Sequence, residues 1–429
     1  MKKNNDYQYL ARNIVPSDLE IVSGKGVIVF DQNKNSYLDL CSQTLNLNLG
    51  HHHPVVMEAV RRLINYNNFV YYQSSRWKNH SMEELAKKLV QISPEELSKV
   101  NLKLCNGGDA NEDAFKRVRK YHRNTGRDMI VAQYRSHHGE SCETLNASGK
   151  NFHKKDYLGG SAKFLHINPV YPYRKPENMD EEDYIFENIC SFESLVKNRG
   201  DIAGIIMELV QVNGGVILQP KSFVRGIEEI CRKNDIKLIV DEVQTAFGWF
   251  GKMFASEDYG IRPDVITLGK ALTAGFPALA AALHTEELDN LEYGESEYTN
   301  GGSTLCCEIA LANIKYLQNS GILETIEEKH NHFVERLKKM KEKYRQIGDV
   351  RGYGLILGIE LVKKDKTEDF NATNKVYEAA LKNRLILRKA ACNGNGSNVL
   401  IIKPPIIISH DEIEQSMDIL DKSLKQCLQ

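Results

Sequence analysis

The sequence predicts an α/β protein: a mostly parallel β-sheet covered by helices on both faces, with a smaller α+β domain assembled from both ends of the chain. Three observations lead there. The middle of the chain alternates short apolar runs with helical apolar spacing, the rhythm of strand and helix units wound into a parallel sheet. No Gly/Ser linker, internal repeat or low-complexity tract separates independent modules, so the domains are expected to share an interface. The two ends carry a different pattern, with short strands and long charged helices.

Taken in order, Asn35 to Leu40 reads as a short strand. Val100 to Cys105, Met129 to Gln133, Ile202 to Met207, Ile236 to Asp241, Asp264 to Leu268 and Leu279 to His284 are apolar runs of buried-strand length. Between them, Asp109 to His122 and Val224 to Lys233 space their apolar residues as helices do. Ile309 to Ile347 reads as long helices with Glu and Lys in pairs. Gly354 to Val362, Leu385 to Arg388 and Val399 to Ile402 read as strands, and His410 to Cys427 as a final helix. The expected division is a large domain at residues 56–309 and a small one from residues 1–55 and 310–429. The basic cluster Lys338 to Arg345 is interleaved with Met340, Glu342 and Tyr344, the pattern of a solvated helix face.

The chain has 429 residues, enough for two or three domains with a sizeable core. Lys plus Arg come to 56 and Asp plus Glu to 57, a net charge of -1, which lacks the basic excess that nucleic acid or an anionic membrane would require. Hydrophobic residues at 41% and charged residues at 26% are those of a folding globular chain. The nine cysteines are scattered, with no Cys-x-x-Cys and no zinc spacing, and read as reduced thiols of a cytoplasmic protein. The start, MKKNNDYQYL, has a Lys pair but no apolar stretch after it, and no run approaches the ~18 apolar residues of a membrane span.

Three stretches carry chemistry. In KLIVDEVQTAFGWFGK, four buried-strand residues run into Asp241, placing a carboxylate at the carboxyl end of a central strand, where open α/β sheets bind ligands. In PDVITLGKALTAGFPALAA, Lys270 directly follows another strand and is surrounded by Gly269, Gly275 and Pro277. A lysine at the mouth of an apolar sheet is partly desolvated, which favours its neutral, nucleophilic amine and Schiff-base chemistry. In LCNGGDANEDAFKRVRKYH, a strand ends in Asn106, Gly107 and Gly108 before a helix that starts near Asp109 and carries Ala110, Ala114 and Val118 on one side. Its backbone amides and dipole suit a phosphate. Each stretch alone also fits an ordinary reading: a capping Asp, a snorkelling Lys, a plain Gly-Gly turn. Together they match the needs of pyridoxal 5'-phosphate, whose aldehyde, ring nitrogen and phosphate call for those three groups.

With these residues in place, the chain resembles the class III aminotransferases, fold-type I pyridoxal-phosphate enzymes related to 4-aminobutyrate and ornithine aminotransferases. The resemblance runs from LDLCSQTLNLNLGHHHP through DEVQTAFG and GKA to RGYGLILGIEL and IIKPPIII. It implies a seven-stranded type of sheet and transfer of an amino group between an amine or amino acid and an oxo acid or aldehyde. It also implies a homodimer with shared sites. Asp241 is similar to the residue paired with the pyridinium nitrogen, Val243 to the one packed under the ring, Gln244 to the one bonded to the ring hydroxyl, and Lys270 to the lysine whose amine holds the cofactor aldehyde as an aldimine. In GGSTLCCE, Thr304 is similar to the threonine that reaches the neighbouring subunit's phosphate.

The departures are informative. The family's Ser-Gly-Ser-Glu-Ala-Asn-Glu appears as NGGDANE, which keeps Gly107. The aromatic-His-Gly triplet reads His137, His138, Gly139, which makes His137 the stacking ring and suggests an added pH dependence near neutrality. Glu-Pro is Glu208, Leu209, and Gly-Arg-Thr-Gly is Gly248, Trp249, Phe250, Gly251. Where many members carry an arginine that grips the substrate carboxylate, this chain has Ile401, which leaves the pairing of that arginine with Glu208 without its cation. The expectation is an amine substrate without a carboxylate at that place, or a carboxylate gripped by Lys403, Arg76 or Arg388.

HHHP at His51 offers adjacent histidines that do not face one metal, and GYGLILG at Gly352 has glycine spacing inside a strand pattern with no helix after it, so neither metal nor dinucleotide is expected. Lys270 and Asp241 do not discriminate transamination from racemisation or epimerisation, decarboxylation or amine elimination, which differ only in the bond broken and in what receives the proton. A third reading is a binding or regulatory protein that keeps the fold without activity. The missing arginine favours it and the retained Asp241, Gln244, Lys270 and Thr304 oppose it.

Overall fold

A computed structural model describes residues 11, 19–65, 75–150, 154, 163–391 and 396–428. The opening MKKNNDYQYL lies outside them. The strands begin with β1 (Ile21–Lys25), β2 (Ile28–Asp31) and β3 (Ser36–Asp39). The central strands are β4 (Lys99–Leu104), β5 (Met129–Gln133), β6 (Phe164–Ile167) and β7 (Ile202–Met207), then the short pair β8 (Val210–Gln211) and β9 (Ile217–Leu218), followed by β10 (Lys237–Asp241), β11 (Val265–Leu268) and β12 (Ala280–His284). The C-terminal part adds β13 (Ile347–Tyr353), β14 (Ile356–Leu361), β15 (Leu385–Ile386), β16 (Arg388–Lys389) and β17 (Val399–Ile402).

The seven-stranded sheet has the order β4-β12-β11-β10-β7-β5-β6, with β12 running against its neighbours and the rest parallel. Every residue of β7, β10, β11 and β12 is buried, which is why these strands read as continuous apolar runs rather than alternating ones. The pleat still sorts their side chains. Leu238 and Val240 of β10 join Phe223, Val224 and Ile227 of the Lys221–Lys233 helix on one face, while Ile239 joins Ala114, Phe115 and Val118 of the Gly107–Tyr121 helix on the other.

Met129 to Gln133 and Ile202 to Met207 form strands with the expected bounds, the other central strands have one or both ends shifted by a residue, and β1, β2, β6, β8, β9 and β13 are additions to the expected set. The stretch Leu385 to Arg388 is not one strand. Leu385 and Ile386 pair in parallel with β3, whereas Arg388 and Lys389 pair antiparallel with β17, so the chain switches sheets at Leu387. One consequence is that the C-terminal region completes the N-terminal sheet β1-β2-β3-β15. GYGLILG forms the β13–β14 hairpin, where Gly354 takes a positive φ and a Cβ would stand 2.1 Å from the Trp249 carbonyl oxygen. The basic helix Ile326–Lys343 sends Lys343 to Asp421 at 2.7 Å, so part of its charge is paired with the final helix, His410–Leu428. His51 bonds Asp39 at 3.1 Å while the His53 ring packs edge-on against Tyr316, so these two histidines face different partners. Among the described residues, no helix is long and apolar enough to cross a membrane.

Candidate active site

The carboxyl ends of β4, β10 and β11 open into one cleft of about 660 Å³. Gly107, Gly108, His137, Asp241, Val243 and Lys270 line it, with Thr44 and Asn46 from the segment after β3. Adjacent parallel strands explain why: β10 ends at Asp241 and its neighbour β11 leads through Gly269 into Lys270, so the carboxylate and the amine leave the sheet at the same edge.

Asp241 is buried and held by three donors. Its Oδ2 accepts from Asn111 Nδ2 and His138 Nδ1, both at 2.8 Å, and its Oδ1 from the Val243 amide at 3.0 Å. Burial works to raise its pKa, but the bonds from His138, Asn111 and Val243 outweigh it and leave the carboxyl below its ordinary value, hence ionised. Asn111 is itself fixed, donating to the His138 carbonyl at 2.8 Å and accepting from Thr267 Oγ1 at 2.7 Å. His138 Nε2 is buried and has no hydrogen-bond partner among the described residues. Reading the sequence singled out neither Asn111 nor His138 as a partner of Asp241; the available signal was a polar Asn beside Ala110 on the apolar side of the Gly107–Tyr121 helix.

Lys270 opens a short 3-10 turn with φ 41, a left-handed backbone that is uncommon for a residue with a Cβ. Desolvation lowers the pKa of its amine, against the pull of the Asp241 and Glu208 charges. Gly107 is required by contact, since a Cβ there would stand 2.6 Å from Val243 Cγ1. The helix begins at Gly107, two residues before the expected start, and Asn106 caps it: its Oδ1 accepts from the Gly108 amide at 2.9 Å and the Asp109 amide at 3.2 Å. Of the glycine pair, the Gly108 amide is engaged by the Asn106 carboxamide.

His137 departs from its expected titration. Burial first, and then the nearby charges of Lys150 and Lys270, bring it down to about 3, so the ring stays neutral across physiological pH. Glu208, just past the end of β7, bonds the His137 amide at 2.8 Å and Gln244 Nε2 at 3.0 Å, which ties it to Gln244 rather than to a guanidinium. Burial pushes it up to about 7, with the Asp241 charge adding to the effect. Glu208, Gln244, Arg388, Lys403, Thr304 and Arg76 lie outside the cleft lining. Thr304 starts the Thr304–Asn319 helix and accepts from Asn79 Nδ2 at 3.4 Å, and exposed Arg76 bonds Tyr293 at 3.0 Å. Ile401 is buried in β17, and Lys403, also buried, spends a hydrogen bond of 3.2 Å on the Gln43 carbonyl.

Two expectations follow. Gly107→Ala should destabilise the chain by about 1–3 kcal/mol through overpacking against Val243. Urea unfolding should recover most of that loss in the double variant Gly107→Ala with Val243→Ala; no recovery would show that the contact is not the cause. For Glu208, the folded pKa lies above the unfolded value of 4.5, so its contribution to stability is present below 4.5 and lost as pH rises through about 7. The melting temperature of Glu208→Gln should therefore fall less than wild type between those two pH values, and parallel curves would count against a raised pKa.

The groups that pyridoxal phosphate needs fit this cleft: a desolvated amine, an ionised buried carboxylate on the next strand, and a close-packed glycine at a helix start. The sequence profile of "Aminotransferase class-III" matches residues 9–424. The acetylornithine aminotransferase of Methanocaldococcus jannaschii is 33% identical over 410 residues, covering 94% of this chain and 92% of that one. A leucine/methionine racemase of Thermococcus litoralis is 31% identical over 428 residues, covering 96% and 92%. The crystal structure of a Bacillus anthracis aminotransferase superposes with a TM-score of 0.90 at 27% identity, over 98% of this chain and 97% of that one. The chain belongs to the class III aminotransferases, pyridoxal-phosphate-dependent transaminases acting on amine and oxo substrates.

Proposed function

We propose that Lys270 is the attachment point and proton-moving residue of this transaminase, that Asp241 is the partner of the ring nitrogen, and that two copies of the chain share their sites. The observation that carries the first two roles is the meeting of a desolvated Lys270 amine and an ionised, triply bonded Asp241 carboxylate at neighbouring strand ends. When bound, pyridoxal phosphate supplies the electron sink for bond cleavage at the substrate carbon. Asp241 holds a positive charge on the ring side of the site, and His138 and Asn111 keep its oxygens aimed. A lowered amine pKa gives Lys270 a larger neutral fraction, which it needs both as nucleophile and as general base. Val243 and the neutral His137 ring are the apolar and aromatic walls of the slot, with Gly107 and Gly108 at its helix end. Gln244, held by Glu208, is the residue offered to the ring hydroxyl.

Thr304 supports the dimer reading because it lies outside its own chain's cleft, capped into a helix start by Ser303. The free cysteines among the described residues support a reducing, cytoplasmic location. The 31% identical racemase makes racemisation the second reading.

Lys270→Ala should abolish amino transfer and the visible absorbance of the lysine-bound cofactor, and a variant that keeps both would end this assignment. A donor screen separates the two reactions: amines alone should convert wild type to its pyridoxamine-phosphate form, whereas a racemase returns its cofactor unchanged. If the sites are shared, mixing inactive Lys270→Ala with a weakened Thr304→Ala should restore activity in hybrid dimers, through sites that combine one subunit's Lys270 with the other's Thr304. Activity no higher than the sum of the separate variants would place Thr304 in its own subunit's site.

A further inference from the structure

The substitution that sets this chain apart is Ile401, and the β16–β17 register shows what stands across from it. Arg388 pairs directly with Ile401 in the antiparallel ladder. Side chains opposite one another on neighbouring strands share a face, with Cβ atoms roughly 4.5–5.5 Å apart. The next residue, Lys389, pairs with Leu400 in the same ladder, and its Nζ bonds Asn374 at 2.7 Å.

Arg388 is half-buried, and no carboxylate among the described residues forms an ion pair with it. Its charge instead meets other cations. It depresses the amines of both Lys270, in the cleft, and buried Lys403. The acid of this region, Asp39, is already engaged by the Cys41 and Ser42 amides and by His51. Cys41, to which Arg388 donates a hydrogen bond, keeps its proton because burial raises the thiol. The segment that carries Cys41 continues into Thr44 and Asn46 of the cleft wall. Two cations, Arg388 and Lys403, thus act on the reacting amine's surroundings, while a buried Ile fills the position where an arginine would grip a carboxylate.

Resting on the transaminase reading, we infer that Arg388 recognises a substrate carboxylate from the strand next to Ile401, so that this enzyme's substrates are amines and oxo compounds carrying a carboxylate. A guanidinium suits that task because its planar fork offers two parallel hydrogen bonds to one carboxylate. Lys403 supports the positive field without supplying the grip, since its amine is held by the Gln43 carbonyl.

The test uses the holoenzyme and two measurements. Calorimetry with glutarate, a dicarboxylate with no amino or oxo group, reads the anion site without turnover. Kinetics with ω-amino acids of two to eight carbons, each compared with the alkylamine lacking its carboxylate, reads the preference. Wild type should bind glutarate and favour the acids; Arg388→Met should lose glutarate affinity and acid preference by about tenfold or more, as expected for a charge-assisted bidentate contact. Arg388→Lys, which keeps the charge and loses the fork, should fall between them and serves if the Met variant does not fold. Unchanged glutarate affinity and acid preference in both variants, or a wild type indifferent to the carboxylate, would overturn the inference. Failure of the transaminase reading would look different: no donor of either kind would yield amino transfer in wild type, whatever the calorimetry showed.

Discussion

One buried negative charge organises this active site. Asp241 sits at the end of the central strand, out of water, where an ionised carboxylate survives only if its oxygens are hydrogen-bonded. The donors that satisfy it come from the Gly107–Tyr121 helix, the loop after β5 and its own chain two residues on. Asn111 is in turn pinned by Thr267 of β11. Four pieces of the chain are therefore tied to a single carboxyl group, and removing one of its donors would cost about 1.5–3 kcal/mol. The same charge acts outward, raising Glu208 and supporting the protonated form of Lys270 against desolvation.

Close packing then shapes the slot around that charge. Val243 approaches the helix start so nearly that only glycine fits at position 107, and Gly269 packs against the same turn, 3.4 Å from the Gly107 amide if it bore a Cβ. The left-handed turn at Lys270 is the backbone cost of bringing the lysine side chain into the cleft directly after β11. Asn106 holds the helix cap while its neighbours stay close to the slot, so helix stability and the anion-attracting end of the dipole meet in one turn.

Much of this was legible in the sequence, for a physical reason: strands buried on both faces are continuous apolar runs, and the residue that interrupts such a run stands at the sheet edge where ligands bind. Asp241 and Lys270 announce themselves that way. Their partners do not, because Asn111 and Asp241 are 130 residues apart and only the helix–sheet packing brings them together. The neutrality of His137 was hidden for the same reason, since the type of residue gives its ordinary titration and only its surroundings give the shift. Leu385 to Arg388 looked like one strand because three apolar residues followed by an arginine carry no mark of a change of sheet. That change decides which residue faces Ile401.

The cleft wall opposite Lys270 depends on restraints outside it. Ser42, Gln43 and Leu45 all take positive φ values, 47°, 54° and 67°, although none is glycine. Residues of this kind cost of order 1–3 kcal/mol each and persist only where their surroundings hold them. Asp39 Oδ1 accepts from the Cys41 and Ser42 amides, Ser42 Oγ donates to the Lys403 carbonyl at 2.8 Å, and Lys403 Nζ donates to the Gln43 carbonyl. A buried lysine in a field of like charge is itself costly, and its pKa falls to about 8. The two costs offset one another: the lysine gains an acceptor, and the contorted segment gains a clamp that presents Thr44 and Asn46 to the cleft. Lys403 is thereby committed to the wall, which leaves Arg388, bonded to the neutral Cys41 thiol and to no carboxylate among the described residues, as the half-buried cation beside Ile401.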